Sequence, residues 1–266
     1  MIACISGQLM TSFLYYLYEG RLLRQIRGRA VPRHLGIILD GNRRYALEQG
    51  FVDPRQAYAL GARKLDDVLL WCAELSIPAV SLWVLSTENF RRDPSEVFGI
   101  LSTIEAKLVQ LARHPRIRSL GVRVRAVGKL DLLPDSVVAA IREAEEATAT
   151  NREMALTIAV AYGGRQEIID AMQAMLREKA KQGEDLETII EGISEETLAQ
   201  YLYAPDLPDP ELIIRTSGEV RLSGFLLWQS AYSEFYFCDV HWPAFRKIDF
   251  LRAVRAFQQR DRRFGS

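Results

Sequence analysis

The feature that most constrains this chain is a repeated unit. A short apolar run leads into a polar turn, and a segment of helical periodicity follows. The runs fall at 35–39, 79–85, 122–127, 154–161, 212–214 and 234–237. A continuous apolar run bounded by turn residues reads as a strand buried on both faces. Strands alternating with helices predict a mostly parallel six-stranded sheet covered on both sides. With 266 residues and 48% hydrophobic composition, one such α/β domain can be filled. Ligands of these sheets sit outside the carboxyl ends of the strands. Those ends here carry Asp40, the turn 86–89, Gly128, the turn 162–165 and the segment 215–219, so the edge is built for anions and a metal.

The helical spacing predicts helices over 55–74, from Pro94 onward, over 136–147, to Lys181, over 195–202, over 225–231 and over 250–259. Asp66 and Asp67 form a lone acidic pair inside the first of these and read as surface charge. Residues 1–9 are poorly specified, with Met10 a possible initiator, and a basic amphipathic helix follows to about Ile26. Its apolar run is too short and too charged to span a bilayer, and signal-peptide features are missing. Docking on the domain or a partner is the expected role, with peripheral membrane contact as the lesser one. The expected organisation is an N-terminal extension, 1–31, and a catalytic domain, 32–266.

Several function classes lose support. The 34 basic residues are balanced by 34 acidic ones, so no global field recruits nucleic acid. Three scattered cysteines suit a reduced, cytoplasmic protein without a structural disulfide, and no Cys/His cluster has zinc spacing. The glycine fingerprints of dinucleotide and P-loop sites are absent, and so is a serine-hydrolase elbow.

Two stretches carry chemistry. In HLGIILDGNRRY (34–45), Asp40 ends a strand, Gly41 allows a sharp turn, and Asn42, Arg43 and Arg44 begin a helix. Helix-start N–H groups with two guanidinium groups suit a phosphate, and a carboxylate beside them suits a bridging Mg²⁺. A plain strand and a solvated basic helix start explain that stretch equally well. In RTSGEVRLS (215–223), two arginines and three hydroxyls surround a glycine, a second diphosphate clamp. Glu234, in a largely apolar stretch, is either paired to an arginine or on a metal. Two diphosphate sites and one metal suggest transfer between two phosphorylated molecules.

DGNRRY (40–45), LSTENFRR (85–92), YGGR (162–165) and IRTSGEVRLSGFLLWQSAYSEFYF (214–237) together resemble the cis-prenyltransferase family, which includes undecaprenyl diphosphate synthases. Arg263-Phe264-Gly265 matches the family's terminal R-x-G, so the likeness spans 32–265. The resemblance implies a Mg²⁺ site at Asp40 with Glu234 as second carboxylate. It implies an allylic diphosphate on Gly41, Asn42, Arg43 and Arg44 with Arg92 nearby, and isopentenyl diphosphate on Arg215, Arg221, Leu222 and Ser223. Asn89 matches a residue assisting proton removal, beside Ser86, Thr87 and Glu88. Tyr45 and Phe90 match aromatic positions flanking the substrate. A hydrophobic tunnel between the helices after strands one and two, and a homodimer using 225–237, are also implied.

Tyr58 stands where undecaprenyl synthases have His. Pro54 falls opposite an Arg, and Val220 replaces a His. Val84 stands where long-chain relatives commonly have Ala, and side-chain alternation lets only one of Trp83 and Val84 face the tunnel. The resemblance around RTSGE and RLSGFLLWQSAYSE is to short-chain Z-farnesyl diphosphate synthases. The expected product is therefore short, with a long-chain carrier-lipid synthase as the alternative. A catalytically silent partner subunit would be expected to lose some of Asp40, Asn89, Arg215, Arg221 and Glu234. A generic nucleotide-binding domain is weakened by the missing fingerprints.

Overall fold

The computed structural model describes residues 2–53 and 55–260, with side chains from Leu14 onward. Pro54 and the Arg263-Phe264-Gly265 ending lie outside the described residues. In chain order the elements are α1 (Ile2–Ile26), β1 (His34–Ile38), α2 (Asn42–Glu48), α3 (Arg55–Glu74), β2 (Ala79–Trp83), α4 (Pro94–Arg113), α5 (Pro115–Ser119), β3 (Val122–Val127), α6 (Asp135–Thr148), β4 (Met154–Ala159), α7 (Gly164–Lys181), α8 (Leu186–Glu191), α9 (Glu195–Ala199), β5 (Leu212–Arg215), β6 (Glu234–Phe237) and α10 (Lys247–Gln259).

The six strands form one sheet in the order β3-β4-β2-β1-β5-β6, every neighbouring pair parallel. The central strands read as continuous apolar runs because both faces are covered: all of β1 and β5 is buried. At the edge, β3 alternates and β6 is only half-buried, as expected where one side meets water. Alternation sorts β1 between two cores. Leu35 and Ile37 join the large cluster with α3, α4, α6 and α10, whereas Ile38 faces Ile213, Phe225 and Tyr162. From β1 the chain moves to β2 on one side, and β5 lies on the other. The carboxyl ends of β1 and β5 thus flank the switch point where such sheets bind ligands.

α1 lies along α10. Leu22 and Ile26 are fully buried in the main core, and Lys247 bridges Glu19 and Glu74 at 2.9 and 2.7 Å. Among the described residues, no helix is long and apolar enough to cross a membrane.

The fourth strand ends at Ala159 and the helix from Glu195 at Ala199, each short of the expected end, and three other elements differ for a local reason. Residues 225–231 are turns, not a helix. Ser223, Gly224 and Leu226 all have positive φ (52°, 93° and 47°), which a right-handed helix cannot include. β2 stops at Trp83 because Val84 and Leu85 N–H both donate to the Ala159 carbonyl, taking the chain out of the ladder. α10 starts three residues early: the Asp249 carboxylate accepts from the Arg246 backbone N–H, a cap hidden by an arginine at the cap position.

Candidate active site

The switch point opens into a polar basin of about 490 Å³. Ile38 of β1 pairs with Arg215 of β5, and the chain turns just beyond each. That register brings Asp40 to Arg215, whose Nε and Nη2 both donate to Asp40 Oδ2 at 2.8 and 2.6 Å. Arg215 Nη1 donates to Ser223 Oγ at 2.7 Å and to the Arg221 carbonyl. Its side chain is only 4% exposed, so this guanidinium is set before any ligand arrives. The Asp40 carbonyl accepts from Thr216 Oγ1 at 2.7 Å and from the Trp242 N–H at 3.0 Å, which fixes the turn. Gly41 follows at φ 101°, and a Cβ there would sit 2.5 Å from His241 Nδ1. Only glycine fits both the dihedral and the space.

The other guanidinium groups are held loosely by carboxylates. Glu96 faces Arg92 at 2.9 Å and Arg43 at 3.6 Å, and accepts from Tyr58 Oη at 2.8 Å. Burial, with Glu96 next to it, raises the Tyr58 pKa and keeps the phenol a donor. Glu219 bridges Arg44, at 3.0 Å, and Arg221. Partial desolvation acts to raise the Glu219 pKa, but Arg221 and Arg44 outweigh it and lower it. Arg43 and Arg221 are 62% and 61% exposed. An incoming diphosphate can replace these carboxylates as partner, with bidentate geometry available to each arginine.

Ser86 and Asn89 cap each other across the 3₁₀ turn 87–91. Asn89 N–H donates to Ser86 Oγ at 3.2 Å, and Asn89 Oδ1 accepts from Ser86 N–H at 3.0 Å. The amide oxygen is therefore already engaged, and an amide is a weak base.

Asp40, Gly41, Asn42, Arg43, Arg44, Tyr58, Val84, Ser86, Glu88, Asn89, Arg92, Arg215, Arg221 and Ser223 all line the basin. Tyr45 packs edge-on against Phe51, Phe90 packs on the main core, Leu222 is exposed, and Thr87 N–H bonds the Tyr162 carbonyl. Glu234 is not at this edge. It begins β6 opposite Leu212, three residues before the level of Arg215, or about 10 Å along the strand. There it is ion-paired with Arg260. One chain by itself does not bring Glu234 to Asp40, because the ladder register puts them at opposite ends. Among the described residues no cluster of three or more His, Cys, Asp or Glu forms. A Mg²⁺ held by one carboxylate and substrate phosphates needs no such cluster, and Asp40 among arginines supplies that donor.

Beyond the basin, an apolar cavity of about 80 Å³ runs between α3 and α4 over β2 and β4. Leu39, Asn42, Tyr58, Val84 and Ile100 line both spaces, so the two adjoin. Val84 faces the cavity, while Trp83 stacks on Phe225 on the opposite face. Gly61 lets α3 approach closely: its carbonyl accepts from Trp242 Nε1 at 3.0 Å, and a Cβ would meet Asn42 Oδ1 at 2.8 Å.

Sequence reasoning missed Glu96 and Glu219, which pair with the basin's arginines. Glu96 was visible only as an acidic residue in a helix's first turn. Glu219 lay inside the second clamp but beside the arginines that drew attention.

The family profile described as "Putative undecaprenyl diphosphate synthase" matches residues 38–265. An isoprenyl transferase of Deinococcus radiodurans is 53% identical, over 95% of this chain and 92% of that protein. A tritrans,polycis-undecaprenyl-diphosphate synthase (geranylgeranyl-diphosphate specific) of Methanopyrus kandleri is 51% identical, over 95% and 91%. A (2Z,6E)-farnesyl diphosphate synthase of Thermobifida fusca is 48% identical, over 95% and 97%. The crystal structure of lavandulyl diphosphate synthase from Lavandula x intermedia, in complex with dimethylallyl diphosphate, superposes with a TM-score of 0.80 at 31% identity, covering 89% of this chain and 99% of that one.

Proposed function

This chain belongs to the undecaprenyl diphosphate synthase family of cis-prenyltransferases, and from that premise we propose that it condenses isopentenyl diphosphate with geranyl or dimethylallyl diphosphate into a short product, (2Z,6E)-farnesyl diphosphate in the first case. The observation that carries this reading is the pairing of a wide basic basin with a small apolar cavity. At about 80 Å³ the cavity is smaller than the roughly 150 Å³ that accepts benzene, so a short prenyl chain has to part its walls somewhat and a long one far more.

In this reading Arg43, Arg44 and Arg92 take the allylic diphosphate, and Arg215, Arg221 and Ser223 take isopentenyl diphosphate. Asp40 would hold Mg²⁺, which would supply charge neutralisation for the leaving diphosphate. The guanidinium groups add preorganised positive charge where the diphosphate departs. The isopentenyl alkene forms the new carbon–carbon bond as the allylic C–O bond breaks. A proton then leaves the isopentenyl C2, and the new double bond closes. Asn89 orients that end of the substrate, and a diphosphate oxygen is the better proton acceptor.

A homodimer completes the proposal. β6 is an edge strand whose stacked Phe235 and Phe237 are half-buried, and Tyr232 nearby is exposed. An unpaired edge with aromatic side chains suits an interface. Incubation with labelled isopentenyl diphosphate and each allylic starter, followed by product sizing, tests the activity. A farnesyl-sized main product from geranyl diphosphate is expected, and an undecaprenyl-sized one overturns the short-chain reading. Light scattering tests the dimer, with a monomer mass at micromolar concentration as the contrary result.

A further inference from the structure

The wall of the apolar cavity contains one charged side chain that the reaction does not use. Lys107 of α4 lines the cavity with Leu65, Ile104 and Leu108, yet its side chain is only 7% exposed. Its Nζ lies 2.6 Å from Asp66 Oδ1 on α3 and 3.1 Å from Gln110 Oε1. Neither partner lines the cavity. The methylene stem therefore forms wall, and the charge ties α4 to α3 behind it. Asp66, which reads in the sequence as surface charge, is the far end of that tie.

Position matters as much as charge. Ile100, where cavity and basin meet, precedes Lys107 by seven residues, or about 10 Å along the helix. On α3, Tyr58 at the junction and Leu65 near the tie are separated by the same span. A growing chain that enters between α3 and α4 reaches the tie after two helical turns. To pass, it must part the helices there, which breaks the ion pair and leaves an ammonium against hydrocarbon. An unpaired buried charge is strongly disfavoured.

We propose that the Lys107–Asp66 pair is the latch that ends chain growth in this enzyme, a specificity-determining contact outside the diphosphate site. This rests on the short-product reading above. Burial acts to lower the Lys107 pKa and Asp66 to raise it, with burial the larger effect, which agrees with a charge that depends on its partner.

The test uses the full-length enzyme with labelled isopentenyl diphosphate and geranyl diphosphate, and reads product length beside the kcat/KM of the first condensation. Lys107→Met keeps the stem and removes the charge. Asp66→Asn leaves the cavity lining untouched and keeps an oxygen acceptor for Lys107, and its melting temperature, read beside activity, checks that the fold is kept. Both are expected to lengthen the main product by at least one isoprenyl unit. Asp66→Asn should leave the first condensation within about threefold of wild type, which separates the latch from a general structural defect. Wild-type product length from both variants overturns the latch. Lengthening by Lys107→Ala alone also overturns it, because lost volume then suffices. A wild type that makes undecaprenyl-length chains defeats the short-chain reading and the latch with it, whereas a short wild-type product left unchanged by both variants defeats the latch alone.

Discussion

The diphosphate basin and the hydrocarbon cavity adjoin, share a rim, and are built on opposite principles. The basin is roomy, about 490 Å³, and its cations are already paired with Asp40, Glu96 and Glu219. The proposed head groups would enter by exchanging partners with arginines that keep their places. The cavity is about 80 Å³, and well-packed walls yield little. In the proposed reading, head-group recognition is prepared in advance and chain length is decided where the structure resists. Changes in the basin should alter rates and affinities, and changes in the cavity should alter what is made.

The sharpest test of the basin is Asp40→Asn. The amide keeps an acceptor for Arg215 but loses the charge proposed to hold Mg²⁺. Turnover should fall by about 100-fold or more, with the melting temperature near wild type. Asp40→Ala should also lower stability, since it strips the buried Arg215 of its carboxylate. A fully active Asp40→Asn enzyme would remove Asp40 from the metal site.

Arg221→Ala asks whether the basin has two separable halves. Loss of a charge-assisted contact, worth roughly 1.5–3 kcal/mol, should raise the KM for isopentenyl diphosphate about 10- to 100-fold. The allylic KM should barely move. A rise in the allylic KM instead would mean that the halves are exchanged.

Val84→Ala probes the boundary from the cavity side. Val84 lines both spaces, so trimming it should shift the product distribution toward longer chains with little change in either KM. Trp83→Phe, on the other face of β2, should leave product length as it was. An equal effect from both would break the distinction between the faces.

The smallest effect is expected from Tyr58→Phe. It removes one hydrogen bond to Glu96, worth about 0.5–1.5 kcal/mol. Steady-state kinetics should show a modest change in the allylic KM and unchanged product length.

Much of this was legible beforehand because it is local. An apolar run such as 35–38 reads as a strand, Asp40-Gly41 as its turn, and the spacing of α3 as a helix matching Arg55–Glu74 at both ends. The motifs 40–45, 85–92 and 214–223 carry the family, and most of their polar side chains do meet in one basin.

Other features depend on which distant positions meet. Glu234 reads equally as ligand or ion-pair partner until the β5–β6 register sets it opposite Leu212 and beside Arg260. Residues 225–231 carry apolar side chains that suit a helix, yet backbone turns at Ser223, Gly224 and Leu226 spend them on packing under the second clamp. Asp66 and Lys107 are ordinary charges on two separate helices, and only the packing of α3 on α4 joins them 41 residues apart behind a cavity wall. Periodicity and turn chemistry act over a few residues, so the sequence by itself determined most of the elements, the mostly parallel sheet and the family. Register, helix packing and the burial of single charges couple residues far apart in the chain, and only the tertiary structure decided that Asp40 meets Arg215, that Glu234 does not, and that Asp66 meets Lys107.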